Sequence, residues 1–458
     1  MSAAKSTFVS TAPRPELVGI VPEVPPLRAV KLPTVAERTL GNGLRIMAAR
    51  RSGVPRLEAR LIVPAARDGK PAQSARAMLF AKTLLSGTST RSSVDIAQEL
   101  QRLGGSLDTG IDSDHIFVFG STLSSEFPRF LALLSEVLAG ATHPEDEVSV
   151  QREVAGQEIT LALSQPATLA RQALMRRLYG THSYGEGLPS PEEMAAVKAG
   201  QLRKLGDRRL RPEGSVLILV GDVPPSRALD LAEAALASWE GGGGKPGLKP
   251  PALAAPGPTL LVDRPGAVQT NIRMGGPAVG RTHRDAPALA LANLIFGGYF
   301  VSRLVDNIRE KRGYTYSPGS GVQSNRSASS FLVVADVGTE VTAPALVEIR
   351  YELNRMLAGP IEPAELLSAK RYLSGTMSMS VQTQAGLASF LGTLAVNDLP
   401  VEYLRDYPAQ VDALTAEDVI DAARKYLDPR RLETVLVGDA SVIQASVEAF
   451  DDVEVEAS

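Results

Sequence analysis

Residues 210–222, LRPEGSVLILVGD, and residues 427–439, LDPRRLETVLVGD, decide how this chain is built. Their Leu, Pro and Gly-Asp landmarks lie 217 positions apart. In each, a turn-forming Pro leads into a run of branched apolar residues that reads as a strand closed by Gly-Asp. Working outward, Pro144, Arg152 and Gly156 are matched by Pro363, Arg371 and Gly375 at a constant offset of 219. Earlier still, an apolar helical pattern over 77–85 that ends at Gly87 resembles another over 288–296 that ends at Gly297. Three segments in the same order at nearly constant spacing predict two homologous halves of mixed helix and strand.

The break between the halves is visible in composition. After Trp239 and Glu240 comes GGGGKPGLKPPALAAPGP, which can hold neither helix nor sheet. No Lys-Ser or Lys-Thr follows the glycines, so a phosphate loop is excluded. Six prolines between Pro13 and Pro33 make residues 1–36 a Pro-rich arm. The reading is therefore an arm over 1–36, a first domain over 37–240, a linker over 241–259 and a second domain over 260–458.

Composition narrows the chemistry. The 458 residues are 44% hydrophobic and 22% charged, ordinary for a globular chain. Lys and Arg number 48 against 51 Asp and Glu, a net charge of -3, which leaves no excess to neutralise phosphates and argues against a nucleic-acid partner. Cysteine is absent, which removes disulfides, thiolate metal sites and thiol nucleophiles together. The opening residues contain no apolar signal core, and no aliphatic run is long enough to span a bilayer, so a cytoplasmic protein with no membrane partner is expected.

Within the first half the pattern gives a strand near 57–63, helices over 75–85 and 94–103, a strand over 116–121, helices over 127–138 and from 144 to about 163, and a closing strand at 216–220. This alternation predicts an α+β fold: two α/β rolls, each with a mainly antiparallel sheet covered by helices on one face. His115, which opens the strand after Asp112-Ser113-Asp114, reads as a polar edge residue with no catalytic role. Asn325-Arg326-Ser327 fits a glycosylation sequon that a chain without a secretory signal does not use.

The order of LLSGTSTRSS (84–93), LQRLGGSLD (100–108), a long helix, VGD, and then VSRLVDNIREKRGYTYS (301–317) resembles the pitrilysin and insulinase family from Val35 to the C-terminus. Active members are inverzincins, in which H-x-x-E-H supplies two zinc-binding His and a Glu general base, and a downstream Glu completes the site. The resemblance places the motif's first His, Glu and second His on Met78, Ala81 and Lys82, none of which can act in those roles. The four histidines, His115, His143, His182 and His283, are never within four residues of one another, so no H-x-x-E-H exists. The chain itself is expected to bind no metal or other cofactor. Glu158 in REVAGQEI matches the downstream ligand, and its counterpart in the second half is Met377. Either Glu158 is an ordinary helix-surface residue, or Lys82 replaces the lost metal charge beside it.

Arg309 and Tyr316, seven residues apart, match an Arg and a Tyr with which members of the family grip substrate beside the zinc. A fixed guanidinium and a phenol can both donate to a carbonyl oxygen that becomes negative during hydrolysis. From local pattern alone, the same residues read as a basic helix end capped by Gly313. Gly297 and Gly298 fall where the family has a glycine-rich loop that touches peptide; a helix terminus is the other reading.

The resemblance thus implies a non-catalytic, substrate-binding subunit of a heterodimeric zinc endopeptidase. A homologous partner carrying H-x-x-E-H would supply zinc and base, and this chain would bring Arg309 and Tyr316 to the peptide. A scaffold subunit of the same fold, or a stand-alone peptide-binding homodimer, are the alternatives. Retention of the Arg and Tyr separates them, since a scaffold has no use for paired donors.

Overall fold

The computed structural model of the chain describes residues 33–65, 71–240, 248–252 and 255–457. The arm as far as residue 32 and the glycine run of the linker lie outside the described residues. In the first half, β1 (Val35–Thr39), β2 (Arg45–Arg50), β3 (Arg56–Pro64), β4 (Ser106–Ile111), β5 (His115–Leu123) and β6 (Val216–Gly221) form one sheet in the order β1-β2-β6-β3-β5-β4. In the second, β7 (Thr259–Asp263), β8 (Gln269–Ala278), β9 (Gly319–Ser324), β10 (Ser329–Gly338), β11 (Glu433–Gly438) and β12 (Val453–Ala457) run β12-β7-β11-β8-β10-β9. Without the outermost strands β1 and β12 the two orders are the same. The repeated VLILVG and ETVLVG segments are β6 and β11, each third from the outer edge and buried along its whole length.

The halves part at that outer edge. Strand β1 precedes β2 and pairs with it antiparallel, whereas β12 is the last strand and lies parallel to β7. Pairing is antiparallel elsewhere except between β2 and β6 and between β7 and β11. Strand β1 begins at Val35, so two residues of the stretch assigned to the arm already belong to the first sheet.

Helices of the first half are α1 (Pro71–Thr83), α2 (Ser93–Arg102), α3 (Phe127–Gly140), α4 (Glu145–Leu163), α5 (Pro166–Tyr179), α6 (Pro191–Ala195), α7 (Ala199–Arg209) and α8 (Pro225–Leu236). Those of the second are α9 (Ala286–Asn293), α10 (Thr342–Ala358), α11 (Pro363–Ser380), α12 (Gln384–Val396), α13 (Tyr403–Ala413), α14 (Ala416–Tyr426) and α15 (Ala440–Glu448). Two π-helical turns, Leu294–Gly298, which ends in the Gly297-Gly298 pair, and Val305–Lys311, flank residues 299–304.

Both faces of each sheet are covered, not one, and the reason lies in α5 and α12. Alternate residues of β6 serve different cores: Leu217 and Leu219 join the helices of their own half, while Val216, Ile218 and Val220 pack with Leu387, Ala388, Leu391 and Leu394 of α12. The exchange is mutual. Val435 and Val437 of β11 pack with Ala170, Ala173, Leu174 and Leu178 of α5, while Leu436 faces its own half. Arg177 of α5 also donates from Nε to Glu433 Oε2 of β11 at 2.7 Å. A strand buried on both faces is apolar wherever no partner is supplied, which is why VLILV and VLV do not alternate and why the buried Glu433 is paired with Arg177.

Candidate functional site

Helix α1 presents Met78, Ala81 and Lys82 on one face, because residues three and four apart stack along a helix. Helix α4 lies against it, anchored by buried Val148, Ala155 and Ile159. That packing brings Glu158 opposite Lys82, with Nζ and Oε2 2.8 Å apart. The ammonium is 29% exposed and the carboxylate 56%. Water therefore screens the pair, and it contributes at most about 1 kcal/mol. Met78 packs on the core of the first half and Ala81 is buried. A thioether, a methyl and an ammonium offer none of the imidazole and carboxylate donors a catalytic zinc needs, so the residues present do not fit the metal.

This face opens onto a cleft of about 1020 Å³ between the halves. Met78, Ala81 and Lys82 line one side; Arg273, Gln323, Val334 and Asp336 of the second sheet line the other. Arg273 is itself tied to Asp336, at 2.7 Å. Neither Arg309 nor Tyr316 reaches this cleft.

Arg309 and Tyr316 come together elsewhere. Arg309 sits in the second π-helical turn, whose end is closed by Gly313 at φ +65, with Gly313 N–H donating to the Arg309 carbonyl and Tyr314 N–H to that of Ile308. The helix-cap reading describes this segment. The Arg309 guanidinium carbon lies 4.5 Å from the centre of the Tyr316 ring and 4.6 Å from that of Phe300. Sequence reasoning missed Phe300; its only signal was a large aromatic directly after Gly-Gly-Tyr. Gly297 is buried against β9, where a Cβ would meet Ser320 Oγ at 2.7 Å, and a Cβ on Gly298 would meet Asn293 Nδ2 at 2.5 Å. Gly297 thus lets β9 pack closely on this turn, and Gly298 lets the chain pack back on Asn293.

His115 is not an edge residue: it starts β5, an inner strand, and is only 7% exposed. The turn before it folds over the ring, with Asp112 Oδ1 accepting the N–H groups of Asp114 and His115. Among the described residues, Asp112, Asp114 and His115 form one group whose donor atoms lie within 4.8 Å of one another. Both Asp114 oxygens are already taken, by the Tyr184 hydroxyl and by the N–H of Arg326 from the other half, so this group ties the turn to its surroundings.

Two family models match consecutive parts of the chain: insulinase (peptidase family M16) over residues 70–192, and the peptidase M16 inactive domain over 196–373. The chain belongs to peptidase family M16. An M16 inactive-domain structure from Pseudomonas fluorescens superposes with a TM-score of 0.82 at 26% identity, covering 89% of this chain and 98% of its own. A protease from Helicobacter pylori shares the fold at a TM-score of 0.81 and 19% identity, covering 89% and 100%. Among sequences, an uncharacterized zinc protease of Mycobacterium leprae is 26% identical over 413 residues, 89% of this chain and 93% of its own. One of Bacillus subtilis is 24% identical over 298 residues, 65% and 72%. Those relatives are named for zinc; this M16 chain has no H-x-x-E-H, and its residues 196–373 match the M16 inactive domain. No helix among its described residues is long and apolar enough to cross a membrane.

Proposed function

We propose that this chain is the non-catalytic, substrate-binding subunit of a heterodimeric zinc endopeptidase, working in the cytoplasm beside a homologous subunit that carries H-x-x-E-H. One observation carries the reading. The metal face of this chain is filled by Lys82 and Glu158, yet Arg309 and Tyr316 are held together, away from the cleft onto which that face opens. Paired donors with no metal of their own to serve make sense when the reacting peptide is held at another chain's zinc. There the guanidinium and the phenol donate hydrogen bonds to the peptide oxygen on which negative charge collects. Zinc and general base remain the partner's.

The chain alone is expected to cleave nothing, and its mixture with the catalytic subunit to give a chelator-sensitive endopeptidase. Arg309→Ala and Tyr316→Phe should lower turnover by about tenfold to a thousandfold while the heterodimer stays assembled, Arg309 the more severely because its charge strengthens the bond. A mixture that stays fully active with both residues replaced makes the chain a scaffold. Chelator-sensitive proteolysis by the chain alone overturns the reading of Met78, Ala81 and Lys82.

A further inference from the structure

We propose that Phe300 is a positioning residue for Arg309, an inference that rests on the donor role just given to that arginine. Phe300 is 65% exposed and Tyr316 79%, unusual for aromatic rings unless they are held there for contact. The Arg309 guanidinium carbon lies over both rings, 4.6 Å from the centre of Phe300 and 4.5 Å from that of Tyr316, with its side chain only 23% exposed. A planar cation stacked on aromatic faces keeps its N–H groups in the plane between them, pointing outward. Nε is engaged by the Glu310 carboxylate at 3.2 Å. The terminal nitrogens take no acceptor among the described residues, so their four N–H groups are left for a ligand.

Arginine has four rotatable side-chain bonds, and an unrestrained one must be ordered each time substrate binds. Here the two ring contacts restrict the guanidinium, and the Glu310 carboxylate 3.2 Å from Nε restrains it further. Tyr316 can supply its hydroxyl while its ring stacks, but Phe300 has no polar atom. Its contribution is therefore to the geometry of Arg309. The π-helical turns on either side, at Leu294–Gly298 and Val305–Lys311, bring residues 300 and 309 together; a register this uncommon is often found at functional sites.

The test has two arms. In the isolated chain, nuclear magnetic resonance of the labelled Arg309 side chain should show upfield ring-current shifts that fall in Phe300→Leu and persist in Phe300→Tyr. In the assembled heterodimer, Phe300→Leu should lower kcat by about two- to thirtyfold with KM little changed, the span expected for losing one cation–π contact at a surface or in a closed chamber, and Phe300→Tyr should restore it. Unshifted Arg309 signals in the wild-type chain overturn the stack itself. Normal kcat in Phe300→Leu alongside impaired Arg309→Ala overturns the positioning role while leaving the donor role standing. Normal activity in Arg309→Ala defeats the donor role, and the positioning role with it.

Discussion

Glu158 and Met377 hold equivalent places on equivalent helices, α4 and α11, yet one ends in an ion pair at the edge of a cleft and the other is buried among apolar side chains. Met377 packs in the cluster that α12 makes with the outer face of the first sheet, beside residues such as Ile218 and Val220. Glu158 faces Lys82 and water. The repeat has therefore kept its backbone plan while assigning opposite solvents to one position. The first half keeps a hollow at this face, and the second has closed its version with hydrocarbon.

Reciprocal substitutions sharpen that contrast. Met377→Glu places a carboxylate in the apolar cluster and should cost about 4 kcal/mol at neutral pH, easing in acid as the group protonates; denaturant midpoints measure it. Leu174→Ala and Leu391→Ala, one in each exchanged helix, should each cost about 3 kcal/mol with unchanged m-values, since both side chains are almost fully buried in matching contacts. A large inequality between them would break the equivalence of the two exchanges.

The next contrast is one of pH. His143 precedes Pro144 as Glu362 precedes Pro363, but Glu362 is exposed while His143 is 1% exposed and shares a hydrogen bond with Thr83 Oγ1 at 2.8 Å. Burial, helped by the nearby Arg203 charge, lowers its pKa to about 4. The unfolded chain therefore binds this proton more readily, near pH 6.5. The neutral ring's contribution to stability is complete above about pH 6.5 and drains away as the pH falls towards 4, at up to about 1.4 kcal/mol per pH unit. His143→Gln should flatten that part of the stability profile. The smallest effect belongs to Glu158→Met, within about 1 kcal/mol by the same denaturation measurement, because it removes only a screened pair; a loss like that of Met377→Glu would show that the cleft edge is no more tolerant than the core.

Much of this was legible in the sequence because the signals were local. The uninterrupted apolar run VLILV announced a strand, and its repeat 217 positions later announced a second copy of the same sheet. The pairing of Lys82 with Glu158 followed from helical spacing together with the family resemblance. What local pattern could not carry was the choice of partner. The apolar stripe of α5, with Ala170, Ala173 and Leu174, would satisfy either sheet, and only the three-dimensional path sends it to the other half. The bond that ties down Asp114, beside His115, comes from the Arg326 N–H more than 200 residues away. The stacking of Phe300 on Arg309 was hidden because an irregular turn, not a helical period, sets their spacing.

The exchange of helices also orders events during synthesis. When β6 leaves the ribosome, the first sheet is complete in strands, but the face bearing Met47, Ile62, Ile218 and Val220 has nothing to lie against until α12 and Leu404 have been made. At ordinary elongation rates that interval lasts on the order of ten to forty seconds. For that time the nascent first half presents an uncovered greasy surface, a natural landing place for a chaperone. The second half inherits no such wait, because the helix that covers its sheet, α5, is finished before β7 begins.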